Sequence, residues 1–211
     1  MEITWYGYSC FRITERGHTT VLTDPYQPAL DPAQRGLKAD LVTISNERAA
    51  QQIDAVRGDK YVISAPGEYE IGELFVTGIP LHIHAAESDT ALRNIAYHFE
   101  YPNSLNFLHL GALHQLPDQS IIEQFDQVHV LLLPIGSALG GDQLADLINI
   151  IEPSFVLPMH TADLDKEEFD AALDGFFKAM GVANVEWQDT LRVTAGGLGE
   201  QMQVICLLPA G

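Results

Sequence analysis

Histidines at the ends of apolar runs are the residues of this sequence best equipped for chemistry. His82 and His84 alternate within residues 81–84, and His160 ends the apolar run 155–160. Imidazoles are common zinc ligands, and an imidazole at a strand end can also serve as a general base. The three histidines could therefore share one metal ion, or His160 could act as a base. We favour the ordinary explanation, in which His82 and His84 lie on the polar face of an exposed edge strand and His160 is hydrogen-bonded in a closed cleft.

A polar turn after a short apolar strand is the second candidate for chemistry. Residues 41–44 are mostly apolar, residues 45 and 46 are polar, and residues 49–56 have the composition of a short helix. A strand that ends in a polar turn before a helix is a common location for catalytic or binding residues. Residues 41–53 contain no His or Asp, so the side chains available there are Asn46, Glu47, Arg48 and Gln51.

Length and charge limit what these residues can do. The chain has 211 residues, 46% of them hydrophobic, which suits one domain over residues 1–211 with a substantial core. Its formal charge of −18 would repel phosphate backbones and anionic lipids, so we predict neither a nucleic-acid nor a membrane partner. We expect a small molecule or a protein as partner, with a homo-oligomer as an open alternative. The sequence shows no leader pattern and no run long enough to span a membrane, which predicts a cytoplasmic protein.

Apolar periodicity predicts strands first and strand–helix alternation later, as expected for sheets inside and helices outside. Residues 3–6, 10–14 and 19–23 form a predicted meander. The continuous apolar run 128–134 is typical of a strand buried on both faces. Residues 166–180 predict the clearest helix, with Asp163 or Asp165 as its capping residue. The other predicted strands are residues 41–44, 61–64, 74–79, 94–101, 105–108, 155–160, 191–194 and 203–208; the other helices are 120–125 and 140–151; a turn is predicted at 65–70 and a loop at 82–93.

Nine segments follow one another in the order typical of one known fold family: residues 3–7, 9–13, 22–26, 39–45, 67–72, 77–80, 109–111, 130–136 and 156–160. Together they span nearly the whole chain. They resemble the metallo-β-lactamase fold superfamily, in the branch of the L-ascorbate-6-phosphate lactonase-like, predicted zinc-dependent hydrolases. The resemblance implies an α/β fold, built as a four-layer αββα sandwich.

The resemblance also implies a zinc site, from which this sequence departs. Family members hold one or two zinc ions with a His-x-His-x-Asp-His motif and with further His and Asp ligands from later loops. Zinc-bound water loses a proton near neutral pH and becomes the nucleophile. With the motif anchored on Ser45, the ligand positions fall on Asn46, Arg48, Ala50 and Gln51, on His82 or His84, on Ala112 and on His160, and the family pattern usually has His at Tyr8.

These replacements lead us to expect no metal cofactor. Arg48 would place a permanent cation where a metal ion should lie, and two neutral imidazoles make a poor zinc site. Asp24 matches a family Asp that lies beneath the metal, so a salt bridge between Asp24 and Arg48 could replace the ion. Glu68 and Glu70 are alternative partners. In the family the position of His109 is not a ligand, so we expect His109 to support its neighbours.

Three further features carry less chemistry. The pair Gly140 and Gly141 before a predicted helix could cradle an anion, but no phosphate-loop pattern surrounds it and we favour a plain hinge. No Gly-x-Ser-x-Gly motif occurs, which argues against a serine hydrolase. Cys10 and Cys206 lie in apolar runs and are predicted to be buried free thiols.

The sequence therefore predicts a degenerate member of a hydrolase superfamily, and we lean towards a non-enzyme. The first hypothesis is a binding, regulatory or scaffold module. The alternative is a remodelled hydrolase, metal-dependent or metal-free, that acts on a small anionic substrate through His160 with His82 or His84. A third possibility is a pure interaction protein with a filled cleft. The candidate catalytic residues are His160, Asp24 and Arg48, and the candidate pocket residues are Tyr8, Glu47, Glu68, His82, His84 and His109.

Overall fold

The computed structural model describes residues 1–25, 36–46, 53–54, 56–82, 93–102, 105–160, 165–183, 185–199 and 201–210. Their strands form two sheets, of six and eight strands. The prediction of an α/β fold is confirmed. Among the described residues, no helix is long and apolar enough to cross a membrane.

The first sheet has the order β13-β1-β2-β3-β4-β5. Its strands are β1 (Glu2–Trp5), β2 (Phe11–Thr14), β3 (Val21–Thr23), β4 (Leu41–Thr43), β5 (Tyr61–Ile63) and β13 (Thr190–Arg192). The first three strands form an antiparallel meander, whereas β3, β4 and β5 are parallel. Buried and partly exposed residues alternate along β1 and β2, while β3 and β4 are buried throughout because both faces of the sheet are covered there.

The second sheet has the order β12-β14-β11-β10-β9-β8-β7-β6. Its strands are β6 (Gly67–Ile71), β7 (Leu74–His82), β8 (Arg93–Glu100), β9 (Asn106–His109), β10 (Val130–Ile135), β11 (Phe155–His160), β12 (Glu186–Gln188) and β14 (Gln203–Leu207). Strands β6 to β9 are antiparallel, and β9 to β12 run parallel through β14. Parallel strands bring their carboxyl ends to one edge, and the candidate site lies at that edge.

Helices pack against the second sheet. They are α1 (Gln119–Ile122), α2 (Gly141–Ile151) and α3 (Lys166–Ala179), with a 3₁₀ turn at Ala195–Gly197. Helix α3 buries Phe169, Leu173 and Phe176, which recur at helical spacing. A Cβ atom on Gly141 would lie 2.9 Å from the Gly175 carbonyl oxygen, so α2 and α3 approach too closely there for a side chain.

Two apolar clusters form the core. The larger fills the space between the sheets and beneath the helices. The smaller lies on the other face of the first sheet and contains Leu22 and Val42 together with Leu37 and Val56. The buried Tyr97 hydroxyl of β8 donates to the carbonyl oxygens of Ile44, at 3.0 Å, and Ile63, at 3.2 Å, and so ties the two sheets together.

The element predictions are confirmed except in four places. Residues 67–71 form β6, not part of a turn, because they pair with β7 from Gly67 opposite Gly78 to Ile71 opposite Leu74. Strand β7 extends to His82, which pairs with Arg93 of β8, so β7 is not an edge strand. The predicted helix at 120–125 is limited to α1, and the short polar strand β12 was not predicted. The predicted helix 49–56 and the predicted loop 82–93 lie largely outside the described residues, and the extent of the domain stays a prediction.

Candidate functional site

A fully buried carboxylate lies at the centre of the candidate site. Asp24 directly follows β3 in a left-handed conformation, with φ of 39°. Its Oδ1 accepts the backbone N–H of Ser45 at 2.7 Å, and its Oδ2 accepts the Ser45 hydroxyl at 2.5 Å. Ser45 is also fully buried, and its Oγ accepts a hydrogen bond from the Asn46 amide at 3.0 Å. Because a buried carboxylate needs donors, this pairing stabilises the charged group and fixes the turn after β4.

His109 packs against the same carboxylate. Its Nε2 lies 3.1 Å from the Ser9 carbonyl oxygen and 3.8 Å from Asp24 Oδ2. Complete burial lowers the pKa of His109, although Asp24 and the Ser9 carbonyl favour its charged form. The neutral tautomer with its proton on Nε2 suits the Ser9 acceptor, so His109 donates one hydrogen bond and leaves the charge to Asp24.

Asn94 holds the turn that follows β9. Its Nδ2 donates to the Leu110 carbonyl oxygen at 2.9 Å, and its Oδ1 accepts the Ala112 backbone N–H at 2.9 Å. Between them Gly111 has a φ of 61°, and a Cβ there would lie 2.2 Å from Asn94 Oδ1 and 2.7 Å from the Ser45 Cβ. The Ile95 N–H donates to the Ser45 carbonyl oxygen at 2.9 Å. The turns after β4 and β9 are therefore packed together.

His160 ends β11 between two aromatic rings. Its ring centroid lies 4.7 Å from that of Tyr8 and 4.9 Å from that of Phe169, with edge-on geometry in both pairs. Tyr8 adopts a φ of 50°, and its carbonyl oxygen accepts the Trp5 indole N–H at 2.7 Å. These contacts fix the orientation of a partly buried imidazole that could bind a metal ion or a proton.

The other predicted site residues are spread more widely. Glu68 is exposed on β6 and Asp24 is buried. His82 ends β7, but its side chain lies outside the described residues, as do His84, Glu47, Arg48, Ala50 and Gln51 in their entirety. The proposed salt bridge between Asp24 and Arg48 therefore stays a prediction. Gly140 is the N-terminal capping residue of α2, and its N–H donates to the Gln143 side chain at 3.1 Å.

Sequence reasoning missed the roles of Asn94 and Ser45. Asn94 is a polar residue at the start of the strand-like run 94–100, and this position could have indicated its role. An amide side chain that is buried there must find hydrogen-bond partners nearby. Ser45 served only to anchor the motif, and its spacing of 21 residues from Asp24 gives no local pattern.

The described donors do not fit the family's two-metal zinc site. Within the described ranges, no three or more His, Cys, Asp or Glu side chains lie close enough together to hold a metal ion. Asp24 is occupied by Ser45, His109 faces Ser9, and Ala112 offers no ligand atom in its side chain. Among the family ligand positions whose side chains the structure describes, His160 carries a side chain that commonly binds zinc.

Comparison with known proteins gives matches over most of the chain. Residues 2–160 match the model of the beta-lactamase superfamily domain. A UPF0173 protein of Pyrococcus furiosus is 31% identical over 197 residues, which cover 82% of this chain and 90% of the relative. A UPF0173 metal-dependent hydrolase of Koribacter versatilis is 24% identical over 199 residues, which cover 76% and 84%.

A solved structure from Thermotoga maritima shares the fold. It superposes with a TM-score of 0.78 and 24% identity and covers 98% of this chain and 97% of its own. That protein is named as a Zn-dependent hydrolase of the metallo-β-lactamase superfamily. Its likeness shows that the two chains have the same architecture of paired sheets, in agreement with the predicted fold.

The expectation of no metal cofactor is wrong. Four relatives carry the name metal-dependent hydrolase, and the Thermotoga maritima structure carries that of a Zn-dependent hydrolase. These names point to a metal cofactor in the family rather than to none. From the matched residues 2–160 and the 31% identity to the Pyrococcus furiosus protein, we conclude that this chain belongs to the metallo-β-lactamase superfamily, within its UPF0173 group.

Proposed function

We propose that this chain has lost the two-metal hydrolytic site of its family and acts as a binding, regulatory or scaffold module. The observation that carries the proposal is the turn at residues 110–112. Asn94 holds this turn at both ends. By the resemblance of the sequence to the family, position 112 corresponds to the family's bridging Asp, and here it is Ala. A methyl group cannot bridge two metal ions, yet the turn keeps its hydrogen bonds.

The buried pair of Asp24 and Ser45 supports the same proposal. Both carboxylate oxygens accept hydrogen bonds from Ser45, so the protein itself satisfies this charge. The turn after β4 is thereby fixed by side-chain contacts. The turn can keep its shape even though the residues that follow it lack the family's His and Asp ligands.

The proposal concerns hydrolytic turnover and is compatible with a bound metal ion. The names of the relatives point to a metal, and His160 could donate to a single ion. Such an ion would supply positive charge for binding an anionic ligand in a strongly acidic protein.

The partner we propose is a small molecule or a protein. The formal charge of −18 disfavours nucleic acid and anionic membranes. A cytoplasmic location and a homo-oligomer belong to the same proposal, and size-exclusion chromatography with light scattering tests the oligomer directly.

A remodelled metal-dependent hydrolase is the second candidate. The observation that favours it is the fixed orientation of His160 between Tyr8 and Phe169 at the carboxyl end of β11. There it could work with His82 or His84, while Asn46 and Arg48 would bind a small anionic substrate.

Restoring the family ligands separates the two candidates. The variant carries Asn46→His, Arg48→His, Ala50→Asp, Gln51→His and Ala112→Asp. Metal is measured by elemental analysis after zinc or manganese loading, and hydrolysis is assayed with phosphodiester, lactone and β-lactam probes. We expect the restored variant to bind about two metal ions per chain, and the natural chain to bind fewer and to hydrolyse no probe faster than buffer.

The control is the single change His160→Ala in the natural chain. Probe hydrolysis by the natural chain that disappears in His160→Ala would contradict the binding-module proposal and establish the remodelled hydrolase. Two metal ions bound to the natural chain, with turnover, would contradict the loss of the two-metal site itself.

A further inference from the structure

An exposed aromatic ring lies between two carboxylates, one strand in from the edge of the second sheet. Strand β6 is the last strand of the second sheet, and within the described part of the chain no strand pairs with its outer edge. Such an edge offers backbone N–H and C=O groups to a further strand. In register across β6, β7 and β8, Phe75 lies between Glu70 and Glu100. Neighbouring residues in an antiparallel row point to the same face, so the ring is flanked by two carboxylates. The Phe75 side chain is 51% exposed.

The adjacent row on the same face contains one carboxylate, a threonine and a buried histidine. Glu68 lies opposite Thr77, and Thr77 lies opposite His98. The Nδ1 atom of His98 is 3.6 Å from Glu100 Oε1. Burial lowers the pKa of His98, against the opposing effects of Glu100, the Gln127 backbone and Asp126. The imidazole is therefore neutral near pH 7 and does not cancel the charge of Glu100.

Basic residues are nearly absent from this half of the chain. Residues 61–165 contain fourteen Asp and Glu and one Lys or Arg, Arg93. A cation brought to the outer face of β6 and β7 meets carboxylates on both sides of an aromatic ring. Carboxylates attract such a cation over distance, and the ring face binds it at short range.

We propose that the β6 edge and the row Glu70–Phe75–Glu100, together named the β6 surface, bind an extended basic segment of a partner protein. The segment pairs its backbone with β6 and thereby adds a strand to the second sheet. Because side chains alternate along a strand, every second residue of the segment points to the face that carries this row. A Lys or Arg placed next to Glu70 is long enough to extend past that residue towards the ring of Phe75. This surface does not depend on whether the cleft hydrolyses a substrate.

Edge protection is the competing explanation. Charged residues on a terminal strand commonly prevent edge-to-edge association between copies of a protein. On that explanation the carboxylates repel a second copy, and no basic segment pairs with β6. The exposed Phe75 distinguishes the two, because a large apolar ring contributes to binding and not to repulsion.

The probe is a fluorescently labelled eight-residue peptide of alternating Lys and Val, added to the full-length protein and followed by anisotropy. A peptide of alternating Glu and Val is the charge control. Glu70→Lys and Phe75→Ser test the β6 surface. Asp146→Lys on the exposed side of α2 is the matched control, because it changes the net charge as much as Glu70→Lys does. Circular dichroism verifies that each variant is folded.

We expect Glu70→Lys to weaken binding of the basic peptide about tenfold and Phe75→Ser to weaken it about threefold, with less than about twofold for Asp146→Lys. Hydrogen exchange should show additional protection of the β6 amides that face away from β7 when the peptide is bound. Equal losses in Glu70→Lys and Asp146→Lys would overturn the proposal, because they indicate attraction by net charge alone. Absence of binding, or binding without protection of β6, would overturn it as well.

Discussion

Gly111 is the residue on which the two turns of the candidate site depend. It has a left-handed backbone, and its α-carbon faces Asn94 and Ser45 without room for a methyl group. A Cβ would collide with the very atom, Asn94 Oδ1, that accepts the Ala112 N–H. At this position backbone conformation and packing both require glycine.

Gly111→Ala should therefore lower the free energy of unfolding by about 3 kcal/mol, from backbone strain together with overpacking. Gly17→Ala is the matched control, since Gly17 also has a positive φ, of 83°, but has open space around its Cβ position. We expect a loss of about 1 kcal/mol there. Urea unfolding followed by tryptophan fluorescence measures both. Similar losses in the two variants would show that the contacts with Asn94 and Ser45 contribute little.

The sequence predicts which residues belong to the site better than it predicts the contacts that they make. The resemblance to the family brought Asp24 and His109 into the same site, and they lie 3.8 Å apart. The role of Asn94 depends on a contact with residues 110–112 that no local pattern encodes. Contacts of this kind form only when β8 and β9 are paired within the second sheet.

Helix α3 connects a local capping signal to the site. The Asp165 carboxylate accepts the Glu168 N–H at 2.9 Å, and the Glu168 carboxylate accepts the Asp165 N–H at 2.9 Å, which forms a capping box. Phe169, in the second turn, packs against His160 at the end of β11. The cap therefore helps to fix one of the two rings that orient His160.

Removing the cap in Asp165→Ala should cost about 1 kcal/mol of unfolding free energy. Asp170→Ala removes an exposed ion pair with Lys166 on the same helix, and we expect less than about 0.5 kcal/mol. Thermal unfolding followed by circular dichroism compares the two. A smaller effect for Asp165→Ala than for Asp170→Ala would show that α3 is held by packing alone.

Elements with strong periodicity were predicted well. Strand β11 has the predicted bounds because its apolar run is preceded by Pro153 and ends at His160. The turn predicted at 65–70 was wrong for residues 67–70. Pro66 and Gly67 are typical turn residues, but residues 67–71 form a strand because they pair with β7. Tertiary pairing outweighs local propensity in such short strands.

Buried histidines make the stability of the whole molecule depend on pH. Burial lowers the pKa of His98, His109 and His129, and at His129 the neighbouring His98 acts in the same direction. The unfolded chain therefore takes up protons first when the pH falls below about 6.5. The stability that these groups contribute is complete above that pH and is lost as the pH falls towards their folded pKa.

Acidification from pH 7.5 to 5.5 should therefore lower the free energy of unfolding of the natural chain by more than it lowers that of the His98→Gln variant. The expected excess is up to about 1.4 kcal/mol per pH unit. Glu100 and Asp126 face His98 and reduce the effect without removing it, because desolvation is the larger influence. His114→Gln, at a partly exposed position, is the control. Urea unfolding at both pH values gives the difference for each protein. If the loss of unfolding free energy between the two pH values is the same in His98→Gln as in the natural chain, protonation of His98 does not contribute.

At residues 110–112, the path of the backbone does not depend on which side chain stands at position 112. The path of the turn at 110–112 is held by hydrogen bonds between the Asn94 side chain on β8 and backbone atoms of residues 110 and 112. The side chain at position 112 takes no part in these bonds, so a substitution there leaves their donors and acceptors in place.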